Sequence, residues 1–136
     1  MLAWLLGEPR APEVRDCLAA ADLVIASDLT LVECDRVLVR AAALGEMPEA
    51  KAASRRAELN AVAAHWTLLR LGAEVIDRAR LRLPDEPVRT LDALHLASAL
   101  VAKAAVADVA VLSLDHQVRA NARALGFDLL PADDDT

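Results

Sequence analysis

Three carboxylates, far apart in the chain, stand where metal-assisted chemistry would want them: Glu33, Asp92 and Asp115. The stretch Thr90-Leu91-Asp92-Ala93-Leu94-His95-Leu96-Ala97-Ser98-Ala99 reads as the opening of a helix that is apolar nearly all round, so the helix is expected to be largely buried. Thr90 fits an N-cap, which puts Asp92 in the first turn at the positive end of the helix dipole. A carboxylate at the mouth of a buried helix is costly unless something neutralises it. The dipole does part of that, and a metal ion would do the rest. Glu33 comes shortly after the run Leu23-Val24-Ile25-Ala26, and Asp115 follows the run Val109-Ala110-Val111-Leu112, into which the Asp92 helix leads. Ligands of open parallel sheets bind beyond the carboxyl ends of the strands, so all three acids fall at one expected edge. Clustered carboxylates repel one another and persist mainly where a hard cation such as magnesium or manganese holds them together. Such ions activate a water and stabilise the charge on a phosphate in flight, which makes a phosphodiester the natural substrate class.

Each acid also has a plainer reading. Thr30-Leu31-Val32-Glu33 fits a capping box, Asp92 could simply complement its helix dipole, and Asp115 could be an N-cap. What favours the site is that all three share one edge. The remaining acids carry less: Asp28 reads as a cap, Asp35 as a solvated helix position, and Glu74, Asp77, Asp85, Glu86 and Asp133 to Asp135 as surface. Asp92 and His95 are spaced i,i+3, which can ligate a metal, but no second such pair supports it. His95 reads instead as a partly buried helper or a core histidine, and His65 and His116 as exposed. Ser98 and Ser113 have no evident His/Asp pairing, Cys34 has no electropositive setting, and there is no P-loop or GxGxxG. Trp4 and Trp66 read as core or interface residues.

The elements that must position these acids alternate along the chain. Helices are expected over residues 12–21, 28–43, 48–65, 73–83, 90–104 and 115–125, with short strands over 23–26, 67–70, 109–112 and 127–130. Gly45 and Gly126 close two of the helices and Pro84 stops a third. Residues 131–136 read as a frayed acidic tail. Strands separated by helices imply an α/β fold with a doubly wound parallel sheet. The 136 residues fit one domain, and the 56% hydrophobic content with only 2% aromatics leaves Leu, Val and Ala to build its core. No apolar run is long enough for a membrane span, and the start of the chain lacks the pattern of a signal peptide. Cys17 and Cys34 read as reduced core residues, which suits the cytoplasm. The net charge of −6 argues against broad, charge-driven nucleic-acid binding. Of the 15 basic residues, however, only Lys51 and Lys103 are lysine. The rest are arginine, the side chain best suited to bidentate phosphate contacts, so a local basic rim beside an acidic site is expected to be feasible.

Taken together, Arg89 to Ala99, Val111-Leu112-Ser113-Leu114-Asp115 with the helix ending Ala124-Leu125-Gly126-Phe127, and Ser27 to Glu33 resemble a PIN domain of the VapC toxin type. The resemblance covers essentially the whole length. It implies a three-layer α/β fold over residues 1–131 with a short acidic tail over 132–136. It also implies a magnesium- or manganese-dependent endoribonuclease, usually dimeric, encoded with and inhibited by a small antitoxin. Glu33, Asp92 and Asp115 match the family's metal-site acids, and Ser113 matches a small hydroxyl residue that supports them. For the complete form, Arg89 or another rim arginine is expected to steady the phosphate.

The chain departs from the pattern at its start. PIN domains begin with a strand ending in an Asp that is the first metal ligand, and that strand is central in the sheet order 3-2-1-4-5. Here Met1-Leu2-Ala3-Trp4-Leu5-Leu6-Gly7-Glu8-Pro9 resembles the helix that normally follows it. Without the strand, two half-sheets flank an unfilled slot, and unpaired backbone groups there would cost about 1–3 kcal/mol each. The flanking strands could close the gap, or the form could be a decayed one, but the favoured expectation is an incomplete N-terminus and poor metal binding by the chain as it stands. A non-catalytic PIN-like interaction domain is the competing reading. A phosphoacceptor receiver domain lacks its Asp and late Lys.

Overall fold

The computed structural model describes residues 5–133, so the placement expected for Trp4 and for Asp134 and Asp135 lies outside the described residues. The chain divides into two compact units, one up to Leu68 and one from Leu69 onward.

In the first unit, Pro12 sits in the first turn of helix α1 (Ala11–Ala20), where its missing N–H and fixed φ do no harm. Ahead of that turn Arg10 pairs with Glu13 at 2.6 Å, and this hydrogen bond holds the Glu13 carboxyl below the usual carboxylate range. Strand β1 (Ile25–Ser27) runs directly into helix α2 (Asp28–Ala43). Leu23, expected inside the strand, precedes it and is 51% exposed. Helix α2 ends in a Schellman turn: the Glu46 N–H donates to the Ala41 carbonyl at 2.9 Å and the Gly45 N–H to the Ala42 carbonyl at 3.1 Å. Gly45 takes the left-handed φ of 71° that this turn requires. Helix α3 (Glu49–Ala63) then packs back, and Leu38, Ala41, Met47 and Ala52 form a small aliphatic core between the two helices. Asp35, expected to be solvated, joins them instead, its Oδ2 accepting from Arg56 Nη2 at 3.1 Å. Strand β2 (Thr67–Leu69) pairs with β1, and the Thr67 N–H reaches the Val24 carbonyl at 2.9 Å.

Cys34 is 1% exposed on the inner face of α2, and burial pushes its thiol up to about 11. Only the thiolate reacts. At pH 8 the native protein is therefore expected to be alkylated by iodoacetamide at the half-buried Cys17 and to be protected at Cys34. Peptide mass spectrometry reads this out, and equal labelling of both would show that the α2 core opens readily.

The second unit starts with helix α4 (Ala73–Ala79). It ends at Ala79, short of the expected Leu83; Leu83 itself precedes Pro84, which disfavours helical backbone at that residue. Leu83 turns inward instead and is 2% exposed. Helix α5 (Thr90–Ala105) buries Ala93, Leu96, Ala97, Ser98 and Ala102, as its apolar surface implies, while Leu91 at its start stays 48% exposed. Strand β3 (Ala110–Leu112), helix α6 (His116–Ala124) and strand β4 (Asp128–Leu130) make one βαβ unit. The strands run parallel in the register Ala110↔Asp128, Val111↔Leu129 and Leu112↔Leu130. A second Schellman turn closes α6, with Gly126 at φ 83° and the Phe127 N–H on the Ala122 carbonyl at 3.0 Å. That turn delivers Phe127, the single phenylalanine, into a core of Leu83, Ala93, Leu96, Val118 and Ala122.

The described strands form two two-stranded sheets, β1 with β2 and β3 with β4. No helix among the described residues is long and apolar enough to cross a membrane.

Candidate metal centre

Arg89, not Thr90, occupies the N-cap of α5, with extended backbone and no side-chain cap bond. The shift by one residue makes Asp92 the third residue of the helix. Its position in the first turn is as expected, and its side chain is 14% exposed. Asp115 caps α6: its Oδ1 accepts the Val118 N–H at 3.0 Å. Ser113 steadies this corner, its Oγ accepting the Asp115 N–H at 3.1 Å. From the start of α5, Arg89 reaches both acids. Its Nε donates to Asp92 Oδ2 at 2.8 Å and its Nη2 to Asp115 Oδ2 at 3.3 Å. Two carboxylates from separate helix starts therefore converge on one cation.

The plainer readings of Asp92 and Asp115 both hold in part. One lies on a helix dipole and the other is a cap, yet each still aims an Oδ2 at the same guanidinium. Arg89 is 76% exposed, and an ion pair that open to solvent is worth only about 0–1 kcal/mol. The acids are thus held apart from their mutual repulsion by a weakly bound counter-charge. Carboxylate oxygens are the donors that magnesium and manganese take, so the chemistry of this pair fits a hard dication. Among the described residues, no group of three or more His, Cys, Asp or Glu side chains is arranged to hold a metal ion.

Glu33 belongs to the first unit and is half-buried in α2. Its capping-box reading falls, because α2 begins at Asp28 with Ser27 at the N-cap. Thr30 is already inside the helix and cannot cap it. The same boundary makes Asp28 a first-turn residue and not the cap. His95 is half-buried on α5, and His65 and His116 are exposed, as expected.

The residues that position the acids were not evident as functional in the sequence. Asn121 is fully buried on α6. Its Oδ1 accepts the Asp85 N–H at 2.9 Å, and its Nδ2 donates to the Asp85 carbonyl and the Gln117 carbonyl, both at 3.0 Å. Gln117 Nε2 donates to the Asp85 carbonyl at 2.6 Å. Glu86 braces the next turn by accepting the Leu83 N–H at 3.0 Å and the Val88 N–H at 2.7 Å. These two amides, Leu83 first, hold its carboxyl below the usual range. The loop leading to Arg89 is thereby fastened to α6, the helix that Asp115 caps. Arg119 does the same for the strand ends. It is 7% exposed and donates to the carbonyls of Ser113 at 2.8 Å, Leu130 at 3.3 Å and Pro131 at 3.0 Å, and to Asp133 Oδ1 at 2.6 Å. Arg123 also pairs with Asp133. Asp133 is exposed, as expected, but pairs with both arginines, and the chain over 131–133 is tied down rather than frayed. The only hint in the sequence is position: Asn121 falls between Val118 and Ala122 on the buried face of α6.

The PIN domain family matches residues 1–124, and the chain belongs to that family. PIN domains are typically metal-dependent nucleases. No curated protein matches the chain.

Proposed function

We propose that the chain is a magnesium- or manganese-dependent endoribonuclease of the VapC toxin type, acting in the cytoplasm as a homodimer within a type II toxin–antitoxin system and inhibited by a cognate antitoxin. The observation that carries this reading is the convergence of Asp92 and Asp115 on the single cation of Arg89. Asp92 and Asp115 would hold the ion, and Glu33 is the third acid that the family resemblance implies. When bound, the ion would supply water activation and neutralise charge developing on an RNA phosphate. Ser113 and Arg119 keep Asp115 at the end of β3, one through its amide and the other through the Ser113 carbonyl. Arg89, exchanging its carboxylates for the substrate, would steady the phosphate.

The sheet supports the same reading. The pairings β1–β2 and β3–β4 are those that the order 3-2-1-4-5 keeps without its central strand. On this view residues 1–131 form a three-layer, doubly wound PIN fold lacking that strand and its Asp, with 132–136 as a tail.

One observation favours a second reading. Asp115 Oδ1 is already engaged as a cap and both acids are already neutralised, as suits a non-catalytic PIN-like interaction domain. RNA cleavage with manganese separates the two. Metal-dependent cleavage by the chain that is lost in Asp92→Asn supports the nuclease. No cleavage by any form, with tight binding to a neighbouring-gene product, overturns it.

A further inference from the structure

Asp92 and Asp115 each turn an Oδ2 toward Arg89, at 2.8 and 3.3 Å. Asp115 has already committed its Oδ1 to the Val118 N–H at 3.0 Å, the bond that caps α6. Oδ2 is therefore the oxygen that Asp115 can turn to an ion, and it is the one the guanidinium holds. Arg89 stands at the N-cap of α5, three residues ahead of Asp92, and makes no cap bond there with its side chain. Its side chain is 76% exposed, whereas that of Asp92 is 14% exposed. The carboxylates are set by two helix starts; the guanidinium reaches them on a long stem open to solvent.

A guanidinium and a dication make competing demands on those two oxygens. Magnesium sits about 2.0–2.1 Å from a carboxylate oxygen and tolerates little departure from octahedral geometry. An ion shared by both Oδ2 atoms would take the space between the carboxylates that the arginine fork spans, and two cations on the same oxygens repel. The exposed arginine is the one that can leave, because its ion pairs contribute little and its stem is free to swing outward. We propose that Arg89 is a built-in stand-in for the metal ion: it neutralises Asp92 and Asp115 when no ion is bound, and it gives up both carboxylates when one is. This role of Arg89 rests on the metal-nuclease reading and adds to it a cation, supplied by the chain itself, that sets how tightly the metal is held.

The test uses the full chain and manganese alone, without RNA, titrated by calorimetry. Arg89→Gln is expected to bind manganese about fivefold more tightly than wild type, the ratio equivalent to one exposed ion pair. Arg89→Lys keeps a positive charge beside the acids and should stay within about twofold of wild type. Arg80→Gln makes the same change in net charge at an exposed arginine just after α4 and should leave the affinity unaltered. A second measurement watches Arg89 directly. Among the arginine Nε–Hε cross-peaks in a 1H–15N spectrum, the one absent from Arg89→Gln belongs to Arg89. It should shift and weaken as magnesium is added, and not when sodium chloride is added to the same ionic strength. Equal or weaker manganese binding by Arg89→Gln, or an Arg89 cross-peak unmoved at saturating magnesium, overturns the stand-in role. If the wild type still cleaves RNA with manganese, the nuclease reading survives that result. Absence of manganese binding and of cleavage in every form overturns both.

Discussion

On the nuclease reading, Asp115→Asn is expected to reduce manganese-dependent RNA cleavage roughly 100-fold or more, because losing one charged ligand would remove several kcal/mol of metal-derived stabilisation. Thermal stability should barely move. The two oxygens of Asp115 do different things: Oδ1 caps α6 through the Val118 N–H, and Oδ2 faces Arg89. Asparagine caps a helix about as well as aspartate does, so the first role survives the substitution. What disappears is the negative charge, and with it an exposed ion pair to Arg89, worth about 0–1 kcal/mol. A shift in Tm of about 2 °C is the corresponding size. Asp115→Ala removes the cap as well and should cost about 1 kcal/mol more. Cleavage rate and Tm measured on all three proteins separate the roles cleanly. If Asp115→Asn cleaves like wild type while Asp115→Ala is merely less stable, Asp115 is a cap and nothing else, and the interaction-domain reading gains.

Most elements were legible because their signals are local. Gly45 and Gly126 end α2 and α6 through the left-handed turn that glycine allows, and apolar spacing marks α5. Boundaries that depend on a neighbour were less so. Thr90 is a better cap residue than Arg89 by side-chain chemistry, yet the helix starts after Arg89, whose long side chain is drawn to Asp92 and Asp115. The pairing of Asp35 with Arg56 on α3 has no trace in the local pattern around Asp35, and neither does the depth at which Leu83 is buried. Least visible were Asn121 and Arg119. A polar side chain that satisfies distant backbone carbonyls leaves no periodicity, only an apparent blemish on an apolar face. Two of the acids expected at the site, Asp92 and Asp115, could be brought together in thought because helix starts beyond parallel strands have a rule attached to them. The arginine that joins them was visible only as a rim charge.

Arg119 carries the second large effect. Arg119→Met is expected to destabilise the protein by about 3 kcal/mol, and to lower Tm by roughly 10 °C. The side chain is 7% exposed and its guanidinium serves the carbonyls of Ser113, Leu130 and Pro131. Methionine matches much of the apolar stem, so packing is largely kept while the carbonyls lose their donor. Leaving a buried acceptor unmade costs about 1–3 kcal/mol, and water reaching part of the pocket keeps the sum near the lower end. The ion pair with Asp133 contributes little to that figure. Asp133 is 63% exposed, so Asp133→Asn should cost less than about 1 kcal/mol although it removes the same salt bridge. The asymmetry between the two partners is the measurable point: denaturant unfolding of both variants should show a large loss from one side and almost none from the other. Equal, small losses would mean the three carbonyls find water once the arginine is gone. Equal, large losses would mean that the charge pair itself holds the end of β4. In the expected case, the Ser113 carbonyl is released along with the strand ends. Asp115 then keeps its cap but loses the fixed backbone that aims its Oδ2, so cleavage by whatever fraction of Arg119→Met remains folded should fall as well.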